Sequence, residues 1–172
     1  AIHYGGVKAL DGVDMTLEKG QIRGLIGPNG AGKSTVIDAI TGRRPLTRGK
    51  VTLMDQDVSH LGAVERRARG LSRSFQRTSI FHGMTVRAQV ELASYKMGMA
   101  NSAEDAESVL KELDLDRLGN TIAEDLGYGE QRRLDLALAL VGRPQVLMLD
   151  EPMAGLSVKE SHDLAHHLKA LT

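Results

Sequence analysis

The sequence contains no cysteine. Disulfides and thiolate metal sites are thereby excluded, although the compartment is left open. No sign of charge dominates, since lysine plus arginine total 22 and aspartate plus glutamate also total 22. Such a balance gives no general reason to expect nucleic acid or an anionic membrane as partner. No apolar run approaches the roughly 20 residues of a bilayer-spanning helix, and no segment reads as a signal peptide. Work at a membrane would therefore require docking on something else. Tryptophan is absent, and the aromatics are only Tyr4, Phe75, Phe81, Tyr95 and Tyr128. With so few, the position of each is informative.

What is present is enough chain, 172 residues, for one domain with a real core. In "VKALDGVDMTLEKGQIRGLIG" the pattern predicts a strand around Val13 to Leu17, a turn at Lys19-Gly20 and a strand from Ile22 to Ile26. "STVIDAITG" predicts a short helix stopped by Gly42. "TRGKVTLMDQDV" gives a turn and another strand, and "AVERRARGLSRSFQ" a polar helix leading into a strand that ends near Phe75-Gln76. From Thr85 to Gly142 the periodicity is mostly helical, with Ser102 as an N-cap before an acidic first turn. "QVLMLDEP" is a buried apolar strand running into two acids, and "VKESHDLAHHLKAL" a final helix. The order is a β-rich start, an α/β core, a helical insert at 85–142 and a return to the core, all within a single domain over 1–172.

"GPNGAGKST" fits the P-loop pattern G-x-x-x-x-G-K-[ST], between a predicted strand and a predicted helix. Gly27, Gly30 and Gly32, with Pro28, Asn29 and Ala31 between them, let backbone N–H groups curl around phosphate oxygens. Lys33 offers a point charge to the β- and γ-phosphates. The Ser34 hydroxyl is suited to Mg²⁺, and Thr35 completes the motif. A chance glycine-rich turn explains this poorly, because pattern and context agree. In "VLMLDEP", Asp150 is placed to hold Mg²⁺ through its water shell, and Glu151 to orient and deprotonate an attacking water. An acidic turn after a core strand would be the bland alternative without the P-loop. Together the two elements point to a nucleoside triphosphatase using Mg²⁺, but not to which kind.

"EDLGYGEQRRLDLALAL" holds a second glycine turn feeding a helix, again a start suited to anions. "LGYGEQ" resembles the signature motif of ATP-binding cassette (ABC) proteins, usually written L-S-G-G-Q. Leu126 and Gly129 match the leucine and second glycine, while Gly127, Tyr128 and Glu130 replace serine, glycine and glutamine. Gln76 in "SFQR" resembles the family's Q-loop glutamine, which senses Mg²⁺ and the lytic water. Tyr4 in "HYGG" resembles the aromatic that stacks on adenine, with simple packing as its plainer reading. "AGLS", Ala154 to Ser157, resembles the D-loop that contacts the other subunit. The resemblance covers essentially the whole chain.

The resemblance implies a P-loop NTPase fold of the ABC type. It also implies head-to-tail pairing with a second nucleotide-binding subunit, in a homo- or heterodimer. There the segment Gly127 to Glu130 of one copy would meet the γ-phosphate held by the other. Permease subunits would tether the pair to the cytoplasmic face of the plasma membrane. The finer resemblance is to ATPases of bacterial branched-chain amino acid importers, carried by "LGYGEQRRLDLALAL" and "SRSFQRTSIFHGMTV". Urea or amide importers and the lipopolysaccharide-export ATPase share part of this pattern. Soluble cassettes acting on DNA or ribosomes are a rival class, but they usually carry long coiled-coil insertions. The room between Gln76 and Leu126 suits only a compact helical insert. Compared with the family, the chain is expected to lack the first strand and a C-terminal part with the switch histidine. His162, His166 and His167 lie on the final helix and are not assigned that role. Arg66, Arg67 and Arg69 read as a solvated helix face. Met97 and Met99 read as an ordinary helix end at least as well as a permease contact.

Overall fold

The computed structural model describes residues 1–4 and 7–171, with the side chains of Tyr4, Val7 and Lys8 outside that description. The adenine-stacking role expected of Tyr4 thus falls on a side chain outside the described part. The chain divides into two compact units, Ala1–Leu71 and Ser72–Leu171.

In the first unit, β1 (Ile2–Tyr4) pairs antiparallel with β2 (Val7–Leu10). Helix α1 (Lys33–Ile40) buries Val36, Ile37 and Ala39 and ends where Gly42 takes φ 76°, as the sequence predicts. Strands β3 (Thr52–Leu53) and β4 (Gln56–Asp57) form a tight hairpin. Its two turn residues, Met54 and Asp55, both have positive φ. Helix α2 (Ala63–Ala68) follows.

Two sequence expectations are corrected here. The segments Val13–Leu17 and Ile22–Ile26 do not form strands, and loops with bends and turns, one of them the expected turn at Lys19-Gly20, occupy 11–32. Their apolar alternation is real, but a strand needs a neighbour to complete its ladder, and the described residues supply none. Val13, Met15, Leu17, Ile22, Leu25 and Ile26 are consequently exposed. Arg66 is not on a solvated face, because it is only 1% exposed. Its guanidinium donates to the carbonyls of Ala39 and Ile40 (2.8 and 2.7 Å), Leu61 (2.9 Å) and Ser59 (3.0 Å). It thereby satisfies orphan carbonyls at the C-terminal end of α1. Burial lowers its pKa, Asp57 acting in the opposite sense. Gly42 has to be glycine twice over: its φ is left-handed, and a Cβ there would lie 2.9 Å from Arg66 Nε and 3.0 Å from the Leu61 carbonyl oxygen.

The second unit is a helical assembly around one two-stranded sheet. Strand β5 (Leu71–Ser74) opens it and pairs with β6 (Val146–Leu149). Between them run α3 (Val86–Lys96), α4 (Ser102–Glu112) and α5 (Tyr128–Leu140). Helix α6 (Val158–Ala170) closes the unit. Val86, Val90, Val109, Leu110, Leu113 and Leu134 are fully buried in its core. Thr85 caps α3 by accepting from the Ala88 N–H, and Asn101, not Ser102, caps α4 by accepting from Glu104. Asparagine competes well for that position, so the cap moves one residue earlier than expected. Strand β6 is half-buried along its length, whereas its apolar sequence implied full burial. Met97 ends α3 and packs on the core beside Gly142, an ordinary helix end.

Candidate functional site

The glycine loop of the first unit leads into α1 without any side chain capping the helix. The loop is tight. Ala31 N–H donates to the Pro28 carbonyl at 3.2 Å, and a Cβ on Gly27 would lie 3.3 Å from that of Ala31. Gly30 and Gly32 take φ of 80° and 90°, so the main chain turns its N–H groups along the inside of the curve. Lys33 is the first residue of α1, with Ser34 and Thr35 behind it in the opening turn. The Lys33 ammonium donates to the carbonyls of Gly27 (2.7 Å) and Pro28 (2.9 Å), which holds its charge over the loop. No acidic residue lies in the first turn. A glycine cradle, an uncapped helix start and one fixed cation fit the phosphates of a nucleotide.

The acid pair belongs to the second unit. Asp150 follows β6 and pairs with Arg73 at 2.9 Å, both side chains being largely buried. The Arg73 guanidinium also lies 4.8 Å above the Phe75 ring, a cation–π contact that fixes its plane. Glu151 is exposed and stands in the left-handed region, φ 48°, which a non-glycine residue adopts only when its surroundings hold it there. Gln76, also exposed, donates its side-chain N–H to Glu151 Oε2 at 2.9 Å. The structure thus joins Gln76 with Glu151, two residues the sequence singles out separately. Among the described residues no cluster of three or more histidine and carboxylate side chains is built for a metal. Asp150 and Gln76 offer the oxygen donors that Mg²⁺ accepts alongside phosphate and water.

Helix α5 begins at Gly127 and carries the segment Gly127 to Glu130 at its start. The Gly127 N–H donates to Glu130 Oε2 at 2.9 Å. The Tyr128 hydroxyl donates to the Ala154 carbonyl at 3.1 Å, which ties this turn to the 154–157 segment. Gly129 is buried and faces the Glu160 carboxylate of α6, whose Oε1 would lie 2.3 Å from a Cβ placed on Gly129. Glu160 also forms a complete capping box with Ser157: the Ser157 N–H and hydroxyl donate to it at 2.8 and 2.6 Å. These hydrogen bonds, the Ser157 hydroxyl first, hold the Glu160 carboxyl below its usual pKa. Gly127, Gly129, Glu130, Arg133 and Glu160 border an open cleft of about 300 Å³.

Sequence reasoning passed over Arg132, Asp135, Arg73 and Glu160. The first two lie on α5 and are both buried. The signal available was the charged pair at i, i+3 inside an otherwise apolar helix.

Residues 10–154 match the family described as ABC transporter. The chain belongs to the ABC transporter family. BraF of Pseudomonas aeruginosa, a high-affinity branched-chain amino acid transport ATP-binding protein, is 34% identical over 180 residues, which cover 95% of this chain and 71% of BraF. MJ1267, an ATP-binding cassette of an ABC transporter, matches with a TM-score of 0.87 at 31% identity, over 98% of this chain and 74% of MJ1267. The cassette MJ0796, solved as a dimer in a post-hydrolysis state with ADP and Pi, matches with a TM-score of 0.82 at 26% identity, over 95% of this chain and 74% of that one. The cassette described here is therefore an α/β nucleotide-binding ATPase, the ATP-binding subunit of a transporter. No described helix is long and apolar enough to cross a membrane.

Proposed function

We propose that this cassette powers the import of branched-chain or closely related amino acids. The observation that carries the reading is the 34% identity to BraF across nearly the whole chain. The tyrosine-containing "LGYGEQRRLDLALAL" agrees with it. In this reading the chain is one cassette, with 85–142 as its helical subdomain, and it works as a dimer beneath a membrane permease on the cytoplasmic face.

The roles of the residues follow from their chemistry. The backbone of Gly27 to Gly32, with Lys33, Ser34 and Thr35, holds the triphosphate. Ser34, Gln76 and Asp150 are the residues that would hold Mg²⁺, which would supply charge neutralisation on the triphosphate. Glu151 accepts the proton of the attacking water, and Gln76 orients that carboxylate. Gly127 to Glu130 of one copy faces the nucleotide of the other, so that ATP joins the two copies.

The test is uptake by the full-length protein with its permease and binding protein in proteoliposomes. ATP-dependent accumulation of leucine, isoleucine or valine, lost in Glu151→Gln, is expected. Glu151→Gln should still bind ATP and accumulate as an ATP-bound dimer on size exclusion. ATP-dependent uptake of urea or a short amide alone would sink the substrate class. Outward movement of a lipid would sink import.

A further inference from the structure

Arg132 reaches the acid pair from an unexpected direction. It sits on α5, one turn after the glycine start, and is 3% exposed. Its Nη1 donates to the Phe75 carbonyl at 2.8 Å and its Nη2 to the Glu151 carbonyl at 3.0 Å. Phe75 immediately precedes Gln76, so one guanidinium grips the main chain beside both members of the Gln76–Glu151 pair. Asp135 lies 4.0 Å from Arg132 and balances its charge. Asp135 also accepts from the Ser74 hydroxyl and from the Ser79 N–H. One face of α5 therefore anchors both ends of the segment that carries Gln76.

We propose that Arg132 is a positioning residue for hydrolysis, holding the Glu151 main chain so that its carboxylate stays on Gln76. The proposal rests on the reading of Glu151 as the base. Its physical ground is the φ of 48° at Glu151. A left-handed glutamate relaxes unless its neighbours over-determine it. Here the Glu151 carbonyl is held twice, by Arg132 and by the Ala154 N–H at 3.0 Å. The two parallel arms of a guanidinium suit two separate carbonyls, whereas an ammonium is a point donor without that fork. Because Arg132 is carried by the helix that begins at Gly127, any displacement of that helix start is delivered to the carboxylate. Contact at "LGYGEQ" is thereby converted into alignment of the base.

The test uses Arg132→Lys and Arg132→Gln in the full-length protein with its permease, each alone and combined with Glu151→Gln. Single-turnover hydrolysis, ATP affinity and thermal melting are measured together. The expected result is a loss of up to about a hundredfold in hydrolysis with ATP affinity unchanged, the scale of a small misplacement of a reacting group. In the Glu151→Gln background the same substitutions should cost nothing further. A merely structural arginine would cost the same factor in both backgrounds, and that outcome overturns the proposal. Failure of both variants to fold overturns it as well, by assigning Arg132 to stability alone. A slow Glu151→Gln beside a parental-rate Arg132→Lys overturns the proposal alone. Parental turnover by Glu151→Gln overturns the base assignment and the proposal with it.

Discussion

Helix α1 begins at Gly32 with no side chain capping it and a lysine as its first residue, whereas α5 begins at Gly127 under carboxylates of its own chain. Both starts are glycine turns feeding a helix, and both present a positive dipole end. They differ in who satisfies the free N–H groups. At α1 the loop leaves them to a ligand, and Lys33 adds charge. At α5, Glu130 takes the Gly127 N–H, and the Glu160 carboxylate stands against Gly129. An anion arriving at α1 meets an ammonium, while one arriving at α5 meets two carboxylates. The lesson is that one local motif can serve as a strong primary site or as a weak, conditional one. Neighbouring carboxylates decide which. In the proposed dimer, a conditional site suits a contact that forms and releases in every cycle.

The comparison can be broken most severely at Gly129. A Cβ there would lie 2.3 Å from Glu160 Oε1, and the held carboxylate leaves little room. Gly129→Asp adds a third negative charge as well as bulk. It should abolish ATP-dependent dimerisation by light scattering while sparing nucleotide affinity of the monomer. Intact dimerisation would show that α5 is not the conditional site.

Lys33→Ala should strike the other start. Losing a hydrogen bond to a charged group costs about 1.5–3 kcal/mol, a weakening of roughly ten- to a hundredfold in MgATP affinity by calorimetry. Unchanged affinity would remove the contrast between the two helices.

A smaller effect is expected of Gly127→Ser. Gly127 has φ −62°, which any residue adopts, and its Cβ would be in ordinary contact with Glu130 at 3.5 Å. Serine would complete a capping box with Glu130 and gain only a few tenths of a kcal/mol in helix stability. The melting temperature should rise slightly, and dimerisation should be equal or tighter. Loss of dimerisation would contradict the comparison.

The mildest test is acid. The Glu160 carboxyl is held below its ordinary pKa by the Ser157 hydroxyl and N–H. Its contribution is present above the unfolded carboxylate pKa of about 4.3 and lost as pH falls through the lower folded value. The melting temperature of the parent should exceed that of Glu160→Gln near neutral pH, and the gap should close toward about pH 3. A gap constant with pH would show that the charge of Glu160 does no work at the α5 start.

The features legible in the sequence are those set by local chemistry. The P-loop, the stop at Gly42, the helices between Thr85 and Gly142 and the acids after β6 announce themselves through glycines, caps and periodicity. What stayed hidden depends on distant partners. The alternation at Val13–Leu17 and Ile22–Ile26 states a preference, but pairing is a property of neighbours. The hairpin at Met54-Asp55 lacks the glycine that usually betrays such a turn. Arg66, Arg132 and Asp135 look like surface residues until the carbonyls, hydroxyl and N–H they serve are seen, because hydrogen-bond satisfaction over long sequence separations leaves no periodic trace.

The Tyr128 ring rests against Gly155, where a Cβ would come within 2.9 Å of it, and its hydroxyl is spent on the Ala154 carbonyl. The chain has no tryptophan to drain its excited state. Tyrosine emission from residues 1–172 is therefore readable directly, and subtracting a Tyr128→Phe variant isolates one fluorophore at the junction of the 127–130 and 154–157 loops. The protein carries its own optical gauge of whether those loops are latched.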